Sequence, residues 1–282
     1  MVGRILRLEL LGLNATVDCD LSGAFEDLDE ILHNFELADG PSGPIDAAFS
    51  IRYSDETGEL VLECDNRPVL ETLSYPYLLA RLEHEIVARA VSGTQEHLVL
   101  HAMATANDGK GMLFPGEKQV GKTTLGAFLV SSGHEFYADD AAAIDLVTTR
   151  LVPLCLPFHI KGTAEGLLET RCPGLSVRSY GPDPSAYPAR YALPPRELLP
   201  KRQHEIDLVV FARYSAGAVV EIAELGKAEA ALELIGHALN FEQLGARAFS
   251  AVATLARRVR FYRLEYGDLA DARSAIDDIC MT

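Results

Sequence analysis

A run of nine residues, GEKQVGKTT at positions 116–124, limits more than any other segment how this chain can fold. It matches the pattern Gly-x-x-x-x-Gly-Lys-[Ser/Thr] of a phosphate-binding loop, or P-loop, in which glycines let the backbone wrap closely around phosphate groups. The helix that follows such a loop presents backbone N–H groups and the positive end of its dipole to the anion. The motif therefore predicts a nucleoside triphosphate site between a strand and a helix.

The side chains of this loop predict how the nucleotide is held. Lys122 supplies a positive charge for the β- and γ-phosphates, and the hydroxyl group of Thr123 is placed to bind Mg²⁺. We therefore expect ATP and Mg²⁺ as cofactors. The residues expected to contact the nucleotide are Gly116, Glu117, Lys118, Gln119, Val120, Gly121, Lys122, Thr123 and Thr124.

The segments around the loop have the pattern that such a site requires. Residues 97–105 and 111–115 are apolar and predict two strands, and Asn107-Asp-Gly109 predicts a tight hairpin turn between them. A helix is predicted from the loop to about Ser132, and residues 135–140 (EFYADD) predict a further strand. We expect an α/β core with the P-loop strand near the centre of a mixed sheet.

Two adjacent aspartates end that last strand. Asp139 and Asp140 follow Thr123 by sixteen and seventeen residues. A carboxylate at the tip of a strand beside a P-loop is where Mg²⁺ is held, and a second carboxylate can accept the proton of an attacking hydroxyl group. His101 lies in the strand before the hairpin, where a lone histidine is more often a core residue than a catalytic one.

The chain is predicted to contain two domains. Residues 1–92 form a smaller N-terminal α+β module, and residues 93–282 form the P-loop domain. Seven of the fourteen prolines fall within residues 173–200, a density that no helix or central strand tolerates. We expect this segment to be a long loop that closes over the site as a lid.

The charge and the cysteines restrict the partners and the compartment. The chain has 41 acidic and 25 basic residues, a net charge of −16, which repels nucleic acid and anionic membranes. No apolar stretch is long enough to span a membrane. The five cysteines are scattered, odd in number and without metal-ligand spacing, which favours a reducing, cytoplasmic location and argues against a zinc site.

The segment LHAMATANDGKGMLFPGEKQVGKTTLGAFLVSSGHEFYADD, residues 100–140, resembles the catalytic core of HPr kinase/phosphorylase. That family has a histidine before a short hairpin, then a P-loop, a helix and an Ala-Asp-Asp strand end, and the spacings here agree without an insertion. The segments LPFHIKG, VVFARYSAGA, NFEQLGARAF and YGDL resemble the HPr kinase-related proteins, some of which occur in gene clusters for lasso peptides and other modified peptides. The resemblance covers residues 96–279 approximately.

This resemblance implies a P-loop kinase fold shared with phosphoenolpyruvate carboxykinase, and phosphorylation of a serine hydroxyl, here the serine of a precursor peptide. It implies that Asp139 is the general base for the acceptor hydroxyl. It implies that Asp140 and Thr123 hold Mg²⁺, and that His101 lies beside the aspartates and tunes them.

The substrate and the assembly are less constrained by the residues. Lys161 and Arg213 are further candidates for contacts to an anion or the substrate. Members of the resembled family often self-associate, so a homo-oligomer is expected.

Three functions stay open at this point. The first is an ATP-dependent kinase that acts on a serine of a peptide or small protein. The second is a kinase for a small hydroxylated metabolite such as free serine, which uses the same chemistry. The third is a nucleotide-dependent binding or switch protein without an acceptor, which the acidic segment 8–51 would suit because it has ten acidic residues and no Lys or Arg.

Overall fold

The computed structural model describes residues 4–21, 23–35, 37, 43–160, 164–180 and 190–281. The chain divides into two compact units. The first consists of Met1–Thr94, His159–Gly162 and Arg178–Tyr191, and the second of Gln95–Phe158, Thr163–Val177 and Ala192–Thr282. The predicted boundary after residue 92 lies close to Thr94, but the sequence did not indicate that two later segments join the first unit. The division into two independent domains stays a prediction.

The first unit contains a five-stranded sheet with the strand order β1-β2-β3-β4-β5. All neighbouring strands are antiparallel except β2 and β3, which are parallel. Alternate residues of β2 are buried, as expected for strands with one face on a core. The elements are β1 Arg4–Leu10, β2 Leu13–Cys19, α1 Ala24–Leu32 with a 3₁₀ turn His33–Phe35, β3 Ala47–Tyr53, β4 Leu60–Cys64, β5 Arg67–Thr72 and α2 Tyr75–Gly93.

The second unit contains the P-loop. The elements along the chain after Thr94 are β6 His97–Leu100, β7 Ala102–Asn107, β8 Lys110–Pro115, α3 Lys122–Ser131, β9 Glu135–Ala138, β10 Ala142–Asp145, β11 Leu151–Val152, β12 Phe158–His159, α4 Ala164–Arg171, β13 Ser176–Ser179 and β14 Arg190–Leu193. They continue with a 3₁₀ turn Arg196–Leu198, β15 Leu208–Tyr214, β16 Glu221–Glu224, α5 Lys227–Gly236, α6 Phe241–Leu244, α7 Ala246–Arg258, β17 Arg260–Tyr266 and α8 Leu269–Met281. Of these, β12, β13 and β14 lie partly in the first unit and partly in the second.

The main sheet of this unit has six strands in the order β16-β17-β15-β8-β7-β9. β8, β15 and β17 run parallel, whereas β7 is antiparallel to both β8 and β9. The carboxyl ends of β8, β9, β15 and β17 therefore lie at one edge of the sheet. The predicted α/β class, with the P-loop strand inside a mixed sheet, is confirmed.

Two smaller sheets have three strands each. β6, β10 and β11 form one sheet, in the order β11-β10-β6, and β12, β13 and β14 form the other, in the order β12-β14-β13. The strands β13 and β14 lie within the proline-rich segment that the sequence predicted as a loop, and residues 181–189 of that segment lie outside the described residues. None of the helices in the described part of the chain combines the length and apolarity that a membrane span requires.

Apolar side chains from the P-loop helix α3 hold it against the sheet. Leu125 and Leu129 of α3 are fully buried together with Met103 of β7, Phe114 of β8 and Ile276 of α8. Burial of one such side chain stabilises the fold by about 1.5–3 kcal/mol. This packing sets the helix, and therefore the loop before it, in a fixed position relative to β8.

The hairpin before the P-loop has the predicted geometry. Asp108 and Gly109 form a two-residue turn between β7 and β8 with φ angles of 48° and 75°. Positive φ at both central residues is the type I′ combination that matches the twist of a hairpin. The strand predicted for residues 97–105 is interrupted at His101, because β6 pairs with β10 in one sheet while β7 pairs with β8 in another.

Acidification should lower the stability of the fold through one buried histidine, His134. The side chain of His134, between α3 and β9, is 1% exposed, and neither ring nitrogen has a hydrogen-bond partner within the described structure. Burial lowers the pKa of His134 to about 4, from 6.5. Since the unfolded chain then binds the proton more readily, stability is lost as the pH falls from 6.5 towards 4.

We expect this histidine to remove about 2 kcal/mol from the free energy of unfolding between pH 7.5 and pH 5. Urea unfolding of wild type and His134→Phe at both pH values measures this contribution, which the variant should lack. His84→Gln, at an exposed histidine, is the control, and its free energy of unfolding should fall between the two pH values by as much as that of the wild type. Equal losses in wild type and His134→Phe would contradict the prediction.

Candidate nucleotide site

The P-loop joins the end of β8 to the start of α3. Pro115 ends the strand and Lys122 begins the helix, as the motif predicted. Gly121 precedes the helix with φ 97°, and Gln119 has φ 70°, so the backbone turns sharply at both residues. The side chains of Glu117, Lys118 and Gln119 are exposed. The N-terminal N–H groups of α3 are therefore presented at the carboxyl edge of the sheet, where an anion can reach them.

Gly121 is required by the space around it as well as by its backbone angle. A Cβ atom at this position would lie 3.0 Å from Tyr214 Cβ and 3.0 Å from the Tyr266 hydroxyl oxygen. Tyr214 also donates its backbone N–H to the carbonyl oxygen of Val120 at 3.0 Å. Two tyrosines at the ends of β15 and β17 therefore support the second half of the loop.

The variant Gly121→Ala is expected to distort the loop and weaken nucleotide binding about ten-fold or more, because the positive φ alone costs about 1–3 kcal/mol for a residue with a side chain. Calorimetric titration with Mg·ATP measures the change. Gly93→Ala is the matched control, since a Cβ there meets nothing within 4 Å. Unchanged affinity in Gly121→Ala would show that the loop tolerates a side chain at this position.

The side chain of Lys122, the first residue of α3, folds back into the loop. This side chain is buried, and its ammonium group donates hydrogen bonds to the carbonyl oxygens of Gly116 and Glu117, each at 2.8 Å. The same group lies 3.1 Å from Nε2 of His101. A buried ammonium requires such partners because leaving water is costly for a charge. The cation is therefore held at the centre of the P-loop, the phosphate cradle, where the motif places phosphate.

His101 connects the P-loop to the aspartates. Its backbone N–H donates to the carbonyl oxygen of His237 at 2.7 Å, and its own carbonyl oxygen accepts from the N–H of Gly116 at 3.3 Å. In the ring, Nε2 faces the Lys122 ammonium, which has only donors, and Nδ1 lies 3.0 Å from the carbonyl oxygen of Asp140. The ring is therefore neutral, with its proton on Nδ1. Burial and then the nearby Lys122 charge lower the pKa of His101, in agreement with this assignment.

The two aspartates follow β9 at the same edge of the sheet. The Thr123 hydroxyl donates to Oδ2 of Asp139 at 3.0 Å, and Asp139 is buried. Asp140 has φ 61°, a left-handed conformation that aspartate tolerates better than most residues. This turn directs the Asp140 carbonyl oxygen to His101. The predicted strand 135–140 thus ends at Ala138, and the aspartates form the turn after it.

The oxygen atoms beside the loop fit a hard divalent cation. A hydroxyl group has one donor and two lone pairs, so Thr123 can donate to Asp139 and still offer an oxygen to a metal ion. Mg²⁺ is bound by few protein oxygens in nucleotide sites, together with phosphate and water. Among the described residues no group of three or more His, Cys, Asp or Glu side chains could form a metal site by itself. Thr123 donates its hydrogen bond to Asp139, and the role of Asp140 in holding the metal, which the resemblance implies, stays a prediction.

The structure brings most of the predicted site residues together. His101, Gly116, Lys122, Thr123 and the two aspartates are connected by the hydrogen bonds given above. Arg213 is exposed in β15, two residues after Phe211 and on the same face of the strand. Lys161 lies outside the described residues. The roles of all these residues stay predictions.

Three residues near the loop were not among the site residues predicted from the sequence. Tyr214 and Tyr266 contact Gly121 from β15 and β17, and His237, which directly follows α5, accepts the hydrogen bond from the backbone of His101. Burial lowers the pKa of His237, and the charge of Lys122 contributes in the same direction. Pairing of β15 with β8, and of β17 with β15, brings the two tyrosines to the loop. A separate bridge between Leu100 and Ala238 brings His237 to His101, and a scan of local patterns reveals none of these pairings.

Comparisons with known proteins agree with the motif. No family model matches the chain. The chain is 29% identical over 160 residues to the protein named HPr kinase/phosphorylase from Bordetella avium (strain 197N), which covers 55% of this chain and 46% of the relative. The chain thus matches about half the length of this curated relative.

A solved structure, the Hpr(Ser) kinase/phosphatase from Coxiella burnetii, is 12% identical and aligns with 64% of this chain and 97% of its own, with a TM-score of 0.30. A score this low supports nothing about the fold. The sequence match to the curated relative does support the resemblance recognised in the residues, and over about half of its length the chain is similar to this HPr kinase/phosphorylase.

Proposed function

We propose that this protein is an ATP-dependent kinase that transfers the γ-phosphoryl group to a serine hydroxyl of a peptide or small protein. The observation that carries the proposal is the bond of 3.0 Å between Thr123 in the P-loop helix and Asp139 after β9. It holds a buried carboxylate beside the phosphate cradle, where an acceptor hydroxyl group must lose its proton.

Phosphoryl transfer depends mainly on positioning and on charge neutralisation. Lys122 would move its hydrogen bonds from the loop carbonyls to the β- and γ-phosphates, because these oxygens carry full negative charge. Thr123 and Asp140 would hold Mg²⁺, which supplies further positive charge to the phosphates when bound. His101 would orient Lys122 and Asp140, because its ring contacts the Lys122 ammonium group and the backbone carbonyl of Asp140.

Phosphoryl transfer forms one bond at the γ-phosphorus and breaks another. The acceptor oxygen forms a bond to the γ-phosphorus while the bond from that phosphorus to the β-γ bridging oxygen breaks, and ADP leaves with the electron pair. The proton of the acceptor hydroxyl passes to the carboxylate of Asp139. A buried carboxylate is suited to this role because little water competes for the proton.

Kinase activity is supported by the name of the relative, an HPr kinase/phosphorylase, and the serine acceptor by the resemblance noted in the sequence. That protein is named for its action on HPr. We propose a serine in a peptide or small protein as the acceptor class for this chain, without assigning HPr itself.

The acceptor class is tested by offering Mg·ATP and a degenerate peptide library with serine, threonine or alanine at the central position, next to free serine. We expect phosphate on the serine peptides and none on the alanine peptides. Transfer to free serine at a higher kcat/KM than to any peptide would replace the peptide by a small metabolite. ATP binding without transfer to any acceptor would favour the nucleotide-dependent binding protein.

A further inference from the structure

The carboxyl edge of the six-stranded sheet has two sides with different chemistry. The strand order β16-β17-β15-β8-β7-β9 places β9, with Asp139 after it, on one side of the P-loop strand β8. β15 and β17 lie on the other side and end in Tyr214 and Tyr266. One side is thus acidic and the other is aromatic.

This asymmetry fixes the direction in which a triphosphate bound at the P-loop extends. The γ-phosphate must lie near Asp139, because the acceptor hydroxyl has to meet both. The rest of the nucleotide then leaves the cradle away from β9. On that side the chain has β15, which pairs directly with β8 and ends at the loop.

The side chain of Tyr214 is held in place and yet accessible. It is 49% exposed, although large aromatic side chains are usually buried. Its backbone N–H is bound to Val120 of the P-loop, and its ring meets the ring of Tyr266 edge-on, with 5.7 Å between centroids and 63° between planes. The Tyr266 hydroxyl in turn donates to the carbonyl oxygen of Gly121 at 3.4 Å.

We propose that Tyr214 is the platform on which the base of the bound nucleotide stacks. This inference rests on the proposed function and assigns a residue to the part of the ligand that the P-loop does not recognise. A base and a tyrosine ring both have a flat π face, and stacking needs little rearrangement when the ring is already fixed by its neighbours. Tyr266 positions Tyr214 but is itself buried, so it does not offer a face to the base.

The test compares two ligands that share the phosphates but differ in the base. The affinities of Mg·ATP and Mg·tripolyphosphate are measured by calorimetry for wild type, Tyr214→Ala, Tyr214→Phe and Tyr53→Ala. Tyr53 is an exposed tyrosine of the first unit and is the control for loss of a surface ring. The backbone bond to Val120 persists in every variant at position 214, because it uses only the N–H group.

We expect Tyr214→Ala to bind ATP about 5- to 100-fold more weakly, the usual range for loss of one base–aromatic stack. Its affinity for tripolyphosphate should stay within about two-fold of wild type, and Tyr214→Phe should bind ATP like wild type, since it keeps the ring. Equal losses for both ligands would show a damaged loop, and no loss for ATP would show no stack; either result overturns the inference. If wild-type protein binds neither ligand, the nucleotide site itself is refuted.

Discussion

Replacing Asp139 by asparagine is expected to lower kcat for phosphoryl transfer about 10²- to 10⁴-fold, the range typical for loss of a general base. Asparagine has nearly the same shape and can still accept the hydrogen bond from Thr123, so the cradle should keep its geometry. What is lost is the ability to take the proton of the acceptor. Affinity for Mg·ATP, measured by calorimetry, should therefore change little.

A comparison with Asp140→Asn separates the roles of the two carboxylates. If Asp140 helps to hold Mg²⁺, this variant should require more Mg²⁺ for half-maximal rate, whereas Asp139→Asn should not. The reverse pattern would exchange the two roles. That alternative has a structural basis, because Asp139 is bonded to Thr123, the other residue expected to hold Mg²⁺. Asp55→Asn, at an exposed aspartate of the first unit, is the control and should behave as wild type.

The second large effect is expected for Lys122→Met. Methionine is similar in length but has no charge, so the phosphates lose their buried cation and the loop loses the three contacts to Gly116, Glu117 and His101. Loss of one preorganised charge-stabilising donor typically lowers kcat about 10²- to 10³-fold. We also expect weaker binding of Mg·ATP, because the lysine contacts the phosphates before the reaction as well as during it.

Two measurements make the Lys122 result specific. Thermal unfolding shows whether Lys122→Met is folded, since its side chain is buried. Lys201→Met removes an exposed lysine of the same unit and should keep full activity. A folded Lys122→Met protein with wild-type transfer would mean that phosphate is bound elsewhere.

Local chemistry explains which parts of this site could be predicted from the sequence. The P-loop is recognisable because its glycines, lysine and threonine lie within eight consecutive residues, and the hairpin because Asp108-Gly109 accepts positive φ. The aspartates stood out because one helix and one strand separate them from the loop. In these cases the residues that carry the pattern are also the residues that meet in the fold.

The unpredicted parts depend on contacts between distant segments. His101 breaks a strand that looks continuous in the sequence, because the strands on either side of it pair in different sheets. Its backbone N–H binds His237, far along the chain. Tyr214 reaches Gly121 through the parallel pairing of β15 with β8. Periodicity and turn signals describe neighbours along the chain and contain no information on such pairings. The resemblance, rather than the pattern around His101, was what indicated its place beside the aspartates.

The most direct test of the account follows the γ-phosphate of ATP itself. Purified protein is mixed with Mg²⁺, ATP labelled at the γ-phosphate and the serine peptide library, in parallel with Asp139→Asn. We expect the label to appear as phosphoserine with the wild-type protein and to be nearly absent from the peptides with the variant. If ATP binds but the label stays on the nucleotide or appears only as inorganic phosphate, equally in both proteins, the chain is not a hydroxyl kinase.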